Sequence, residues 1–337
     1  MITEPAPGLK ERLADFIEQH GEWTAMSIDL GGGVYTIANP GVDTRLKRIV
    51  QLAQDLGRKP LSESRVLDLA CLEGHYALEL AMHGAEALGT EGREANLAKA
   101  NFARDTLGLS SLRFVQDDVR NLSREKYGTF DIVICSGILY HIDAPDVFRF
   151  IERIGEVCTG LAIIDTHISL ADDVTLEYNG KRYSGRYYTE RPDTVTEEQH
   201  EADLWASIGN VRSFWLTRPS LYNILRDSGF TSVLECHLPP MPGMLIDRVT
   251  FVAVKGEPAR VLSSPITDAH TPGPCQERPP QIVHTCQDPW EIRKKKIKQY
   301  VPKPIWSALH SVRQSIRERR GGSHPWEWDV PWKKRKA

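Results

Sequence analysis

The sequence predicts a doubly wound α/β fold, and three observations carry the prediction. Short apolar runs recur at Val66 to Ala70, Leu112 to Val115, Phe130 to Ser136 and Leu161 to Asp165, dense enough for strands buried on both faces. Helix-length stretches with apolar side chains at i, i+3 and i+4 separate them. Acidic or polar residues stand at the ends of the runs, where open parallel sheets bind their ligands.

The chain opens with a helix from Gly8 to His20, its face marked by Leu9, Leu13, Phe16 and Ile17. Ser27 to Ile37 reads as two short strands around Gly31-Gly32-Gly33. A second helix runs from Val42 to Leu56, stopped by Gly57 and Pro60. Residues 1–60 are thus expected to cap the sheet's ligand edge, with Trp23 and Tyr35 as packing or substrate-facing aromatics.

The main domain spans residues 61–256. Its first strand ends in a turn, Ala70-Cys71-Leu72-Glu73-Gly74, which leads into a helix with Tyr76, Ala77, Leu80 and Ala81 on one face. The second strand, Ala85 to Thr90, ends at Glu91, followed by Gly92 and Arg93 and a helix to Leu107. Asp117-Asp118-Val119 follows the third strand, Ser136 closes the fourth, and Tyr140 and His141 lie just past it. Pro145 to Val157 is a helix, and Asp165-Thr166-His167 ends the fifth strand. An insertion over 169–205 carries an Asn179-Gly180 hairpin signal, four tyrosines and Arg182, Arg186 and Arg191, which could clamp an anionic substrate or form a solvated ribbon. A helix from Ser220 to Ser228 and strands at Thr231 to His237 and Arg248 to Val254 complete the domain.

The turn decides the ligand class. It has one glycine where phosphate-cradling loops carry three, and Glu73 would repel a pyrophosphate. That disfavours a nicotinamide dinucleotide. Glu91 is placed to accept the hydroxyls of a ribose, and Asp68 to reach a ligand cation or fix the loop. A ligand with a ribose and no phosphates fits, and on these residues the sequence resembles the class I S-adenosylmethionine-dependent methyltransferases. The likeness runs from Arg65 to His167 and more weakly to Lys255, with Ala70 and Leu72 standing where the family's loop has its first two glycines. The resemblance implies a Rossmann-like seven-stranded sheet of order 3-2-1-4-5-7-6. It implies S-adenosylmethionine as cofactor, held by Asp68, Ala70, Leu72, Glu73, Gly74, Glu91, Gly92, Arg93, Asp118, Val119 and Ser136, with Asp118 accepting from the adenine amino group. His141, Tyr140 and His167 are then the candidate catalytic residues, a histidine suiting proton removal near neutral pH.

Three functions fit this reading. The first is methyl transfer to a small molecule or saccharide, at oxygen. The second is modification of tRNA, since Gly137 to His141 and the helix after Pro219 are similar to the family that carboxymethylates wobble uridine. The third is a protein that binds S-adenosylmethionine without turnover.

Composition sets outer bounds. A 41% hydrophobic fraction is ordinary, and no stretch has the ~20 apolar residues of a membrane span. No secretory signal is evident at Met1 to Lys10, and six cysteines without a Cys-x-x-Cys pair suggest neither zinc nor a disulfide framework; a cytoplasmic protein with no stable metal is expected. Residues 257–289 read as a Pro- and Ser-rich linker. The tail, 290–337, holds 14 Lys+Arg against 4 Asp+Glu from Glu291 onward, while the rest of the chain holds 28 against 41. Ile305, Leu309, Val312 and Ile316 form a stripe there, with Trp326, Trp328 and Trp332 beyond it. Such a basic amphipathic segment suits an anionic membrane surface to which the protein would be peripheral, RNA phosphates, or docking on the acidic body. The oligomeric state has no signature.

Overall fold

A computed structural model describes residues 8–37, 43–192, 194–237 and 245–257. The chain divides into two compact units, residues 1–240 with 246–277, and residues 241–245 with 278–337; everything below concerns the first. Nearly all of the expected linker and the whole basic tail lie outside the described residues, as do Val42 and Leu238 to Met244.

The order of elements is α1 (Leu9–His20), α2 (Thr44–Leu56), β1 (Arg65–Leu69), α3 (His75–Met82), β2 (Glu86–Glu91), α4 (Glu94–Leu107), β3 (Leu112–Gln116), α5 (Arg124–Tyr127), β4 (Phe130–Ser136), α6 (Asp146–Val157) and β5 (Cys158–His167). Then come β6 (Val174–Tyr178), β7 (Lys181–Thr189), α7 (Glu197–Ala202), β8 (Arg212–Leu216), α8 (Arg218–Asp227), β9 (Ser232–Cys236) and β10 (Arg248–Val254). The main sheet has seven strands in the order β3-β2-β1-β4-β5-β10-β9, as the resemblance implied. Five strands are parallel, and β10 enters antiparallel between β5 and β9.

Strict alternation explains why these strands read as unbroken apolar runs. Val66, Ile132, Ile134, Ile163 and Val252 face one side, packed with Ile49, Ala53, Leu78 and Leu80 from α2 and α3. Leu67, Leu69, Val133, Cys135, Ile164 and Phe251 face the other, with Phe148, Ile151 and Ile154 of α6 and Leu221 and Leu225 of α8. A sheet covered on both faces needs apolar residues at every position. The expected strands around the glycine turn reduce to a single bridge between Asp29 and Tyr35. Trp23 is 3% exposed and packs on Phe16 and Phe102.

The insertion is larger than expected. The Asn179-Gly180 hairpin forms, both residues having positive φ, and β8 joins it as a third antiparallel strand. One face of this small sheet, with Tyr178, Tyr183 and Phe214, packs on Phe148 of α6. The other carries Trp215, with Arg186 and Tyr188 packed on its ring, against Tyr140 and His167 at the main sheet's carboxyl edge.

Candidate active site

A cavity of about 480 Å³ opens at the carboxyl ends of β1, β2 and β4, where a doubly wound sheet binds its ligand. Its floor is the turn after β1. Ala70 and Leu72 adopt left-handed backbone, φ 51° and 49°, although neither is glycine. The turn thus keeps the backbone that glycines would give at a strain that side chains dislike. Gly74, φ 88°, cannot be replaced so easily, because a Cβ there would lie 2.6 Å from the Phe114 ring.

Glu91, 3% exposed, accepts from the backbone of Leu72 at 3.0 Å, the backbone of Arg93 at 3.0 Å and the Asn96 amide at 3.3 Å. A carboxylate has about four acceptor sites, so roughly one remains for a ligand hydroxyl rather than the two a ribose offers. Asp118 lies on the cavity wall with both oxygens held by Arg120, from its Nε at 2.9 Å and its backbone at 2.8 Å. Burial raises its pKa, but the hydrogen bonds from Arg120 outweigh burial and hold it below the usual range. Ala70, Leu72, Gly92, Arg93, Val119 and Ser136 are also on the wall.

Asp68, Glu73 and Gly74 are not on it. Asp68 is 1% exposed and accepts from the backbone of Ala77 at 3.1 Å, which ties the start of α3 to β1. Burial pushes its pKa up to about 8. Glu73, 1% exposed, pairs with buried Lys99 at 3.1 Å and accepts from the backbones of Thr24 and Ala25 at 2.9 and 3.0 Å. That fastening lays the segment before α2 over the turn, and Ala25 and Met26 become cavity wall.

At the other end, Tyr140 and His141 line the cavity in the helical turn Leu139–His141. His141 Nδ1 lies 2.8 Å from Oε2 of Glu190, whose side chain is 4% exposed and whose Oε1 accepts from Ser213 at 2.7 Å. The far nitrogen, Nε2, has no protein partner among the described residues. His167 is set apart: it is off the wall, stacked on Trp215, edge-on to Tyr140, and 3.2 Å from Asp247 through Nδ1. Arg248 donates to the Tyr140 hydroxyl at 3.1 Å and to buried Asp165 at 2.6 Å. Arg45 also reaches the wall, 3.6 Å from the same carboxylate, with its Nε buried and lacking a hydrogen bond.

Sequence reading missed four features. Arg45 and Arg248 were passed over because one sits in an amphipathic helix and the other opens a strand, and nothing local marks their approach to Asp165. Glu190 was hidden in the polar insertion. The strip from Leu204 to Asn210, held by Arg93 and Asn210 (3.3 Å to the Ser207 carbonyl and 2.8 Å to that of His141), covers the cavity and includes half-exposed Trp205. Among the described residues no group of His, Cys, Asp and Glu could hold a metal ion, and no helix is long and apolar enough to cross a membrane.

Comparison with known proteins agrees with this geometry. Residues 66–159 match a family model described as a methyltransferase domain. A ubiquinone biosynthesis O-methyltransferase of Acinetobacter baumannii (strain AYE) is 31% identical over 123 residues, 36% of this chain and 48% of the relative. One from Acinetobacter baylyi is 32% identical over 85 residues, covering 25% and 36%. The chain thus spans about half the length, or less, of these curated relatives. The N-terminal domain of EvdMO1, solved in the presence of SAH and D-fucose, shares the fold at TM-score 0.55 and 23% identity, covering 73% of this chain and 95% of that one. Residues 66–159 are thus similar to a methyltransferase domain, and the strand order and the cavity at the carboxyl ends of the strands agree with that likeness.

Proposed function

We propose that the protein methylates an oxygen of a small, hydroxylated molecule, with His141 as general base. The observation that carries this reading is a histidine on the cavity wall with one ring nitrogen held by a buried carboxylate and the other uncommitted. The walls suit the cofactor. Glu91 keeps about one acceptor site for a ribose hydroxyl, Asp118 serves the adenine amino group, and the Arg45 guanidinium on the wall, ion-paired with Asp165, brings positive charge for a carboxylate. Gly92, Arg93, Val119 and Ser136 shape the same wall, while Asp68, Glu73 and Gly74 support it from behind. When bound, S-adenosylmethionine supplies a methyl group on a sulfonium sulfur, which the acceptor oxygen displaces in line to leave S-adenosylhomocysteine. His141 takes the acceptor's hydroxyl proton at Nε2 and releases it to solvent. Tyr140, fixed by Arg248, orients the acceptor beside it. The D-fucose of the EvdMO1 structure supports an acceptor of sugar size.

The test is His141→Asn. Binding of S-adenosylhomocysteine, followed by calorimetry, should be unchanged, while turnover of the acceptor falls by roughly 10²–10⁴. Unimpaired turnover would make His141 structural. A second reading, transfer of a carboxymethyl group to RNA, has the Arg248–Tyr140 pair in its favour as a place for a carboxylate. Asp165 already neutralises Arg248, which speaks against it. The mass of the cofactor that copurifies with the protein separates the two.

A further inference from the structure

We infer that Glu190, supplied by the insertion, is the positioning residue that fixes the tautomer and aim of His141. The inference deepens the methyltransferase reading and rests on it. A neutral imidazole is a base only at the nitrogen that lacks a proton. An ionised carboxylate accepts and cannot donate, so Oε2 of Glu190, 2.8 Å from Nδ1, holds the proton there and leaves Nε2 bare. The carboxylate has little freedom of its own. Its side chain is 4% exposed, its second oxygen accepts from Ser213 at 2.7 Å, and its backbone N–H donates to the Val211 carbonyl at 2.9 Å. Ser213 is fully buried and in turn accepts from Trp215 Nε1 at 3.2 Å, which also donates to the Tyr140 carbonyl at 2.8 Å. The indole therefore braces the helical turn that carries His141 and the network that aims it.

The other charged or titratable groups around His141 are otherwise engaged. Tyr140, with its ring against the imidazole, is bonded to Arg248. Asp143, two residues on, accepts from Arg212 at 3.0 Å. Asn210 from the covering strip donates to the His141 carbonyl, not to the ring. Glu190 is the group that addresses the imidazole.

The experiment is nitrogen NMR of the full chain labelled with [15N]histidine, the His141 signals being assigned by their loss in His141→Asn. At pH 8 the wild type should show the Nδ1-protonated form in roughly tenfold or greater excess, as expected for a charge-assisted hydrogen bond. Glu190→Leu should abolish that excess. Glu190→Asp, which keeps the charge but withdraws it by one methylene, should diminish it. An Nε2-protonated His141 in the wild type overturns the inference without any variant, should Glu190→Leu not fold. An unchanged tautomer in either variant overturns it as well. Wild-type calorimetry with S-adenosylhomocysteine is run alongside. Failure to bind sinks the methyltransferase reading, and the tautomer result reports separately on Glu190.

Discussion

Glu73 and Glu190 are both buried carboxylates, and each fastens a segment outside the sheet to the sheet's ligand edge. Their partners differ. Glu73 meets a buried ammonium and two backbone N–H groups, so its charge is matched and its acceptor sites are filled. Glu190 meets a hydroxyl and an imidazole whose other nitrogen stands free beside the cavity. The first arrangement holds structure and has nothing left to offer a ligand. The second passes its influence through a titratable ring. Which of the two a buried carboxylate becomes depends on its partner, not on its own burial.

The sharpest way to break the comparison is Lys99→Met. It leaves the Glu73 carboxylate buried without its cation, and chemical denaturation should show a loss of about 3–5 kcal/mol. Adding Glu73→Gln should recover most of it. If the single variant costs less than about 1 kcal/mol, backbone N–H groups alone suffice for Glu73. Glu91 is an intermediate case, with three protein donors and room for about one more. Glu91→Ala should weaken S-adenosylhomocysteine binding by about 1.5–3 kcal/mol in calorimetry, as for a lost charged hydrogen bond.

Asp68 is the carboxylate with least help. Burial raises its pKa from the ordinary 3.8 to about 8, and the single N–H of Ala77 only partly opposes this. The raised value means that its protonated form stabilises the fold fully below about pH 4 and loses that contribution as pH rises through about 8. Melting curves of the wild type should therefore decline against those of Asp68→Asn over this window, by at most about 1.4 kcal/mol per pH unit. Parallel curves would mean that Asp68 stays ionised. The smallest effect involves no carboxylate. Ala70→Gly should relieve the left-handed backbone at the cost of a looser unfolded chain, for a net gain of about 0.5–1 kcal/mol. A loss would show that the Ala70 methyl is a packing contact of the turn.

What the sequence reveals here follows from where the information lies. The strands of the main sheet are legible because burial on both faces writes a near-continuous apolar run, as in residues 132–135 of β4. Glu91 and His141 are legible because a strand end is a place in both sequence and space. β8 is not, since Arg212–Leu216 is five residues long and pairs with β7 across an intervening helix. Glu190 leaves no local mark at all. It is one acid in an acidic stretch until β7 and β8 pair and bring it 49 positions back to His141. The replaced glycines mislead in the opposite direction, because Ala70 and Leu72 change the letters of the turn but not its path.

The three-stranded insertion bears on any attempt to retarget the proposed activity. The hairpin that carries Tyr188, stacked on Trp215, also leads into Glu190, two residues further along the same strand direction. A graft that exchanged the hairpin for another specificity would therefore exchange the setting of the imidazole with it. On the proposed mechanism, a change in the hairpin and a change in reactivity are coupled by chain continuity. A directed-evolution library confined to the strip from Leu204 to Asn210 would leave Glu190 and Ser213 untouched, and is the route by which the cavity wall can be varied while the setting of the imidazole is held.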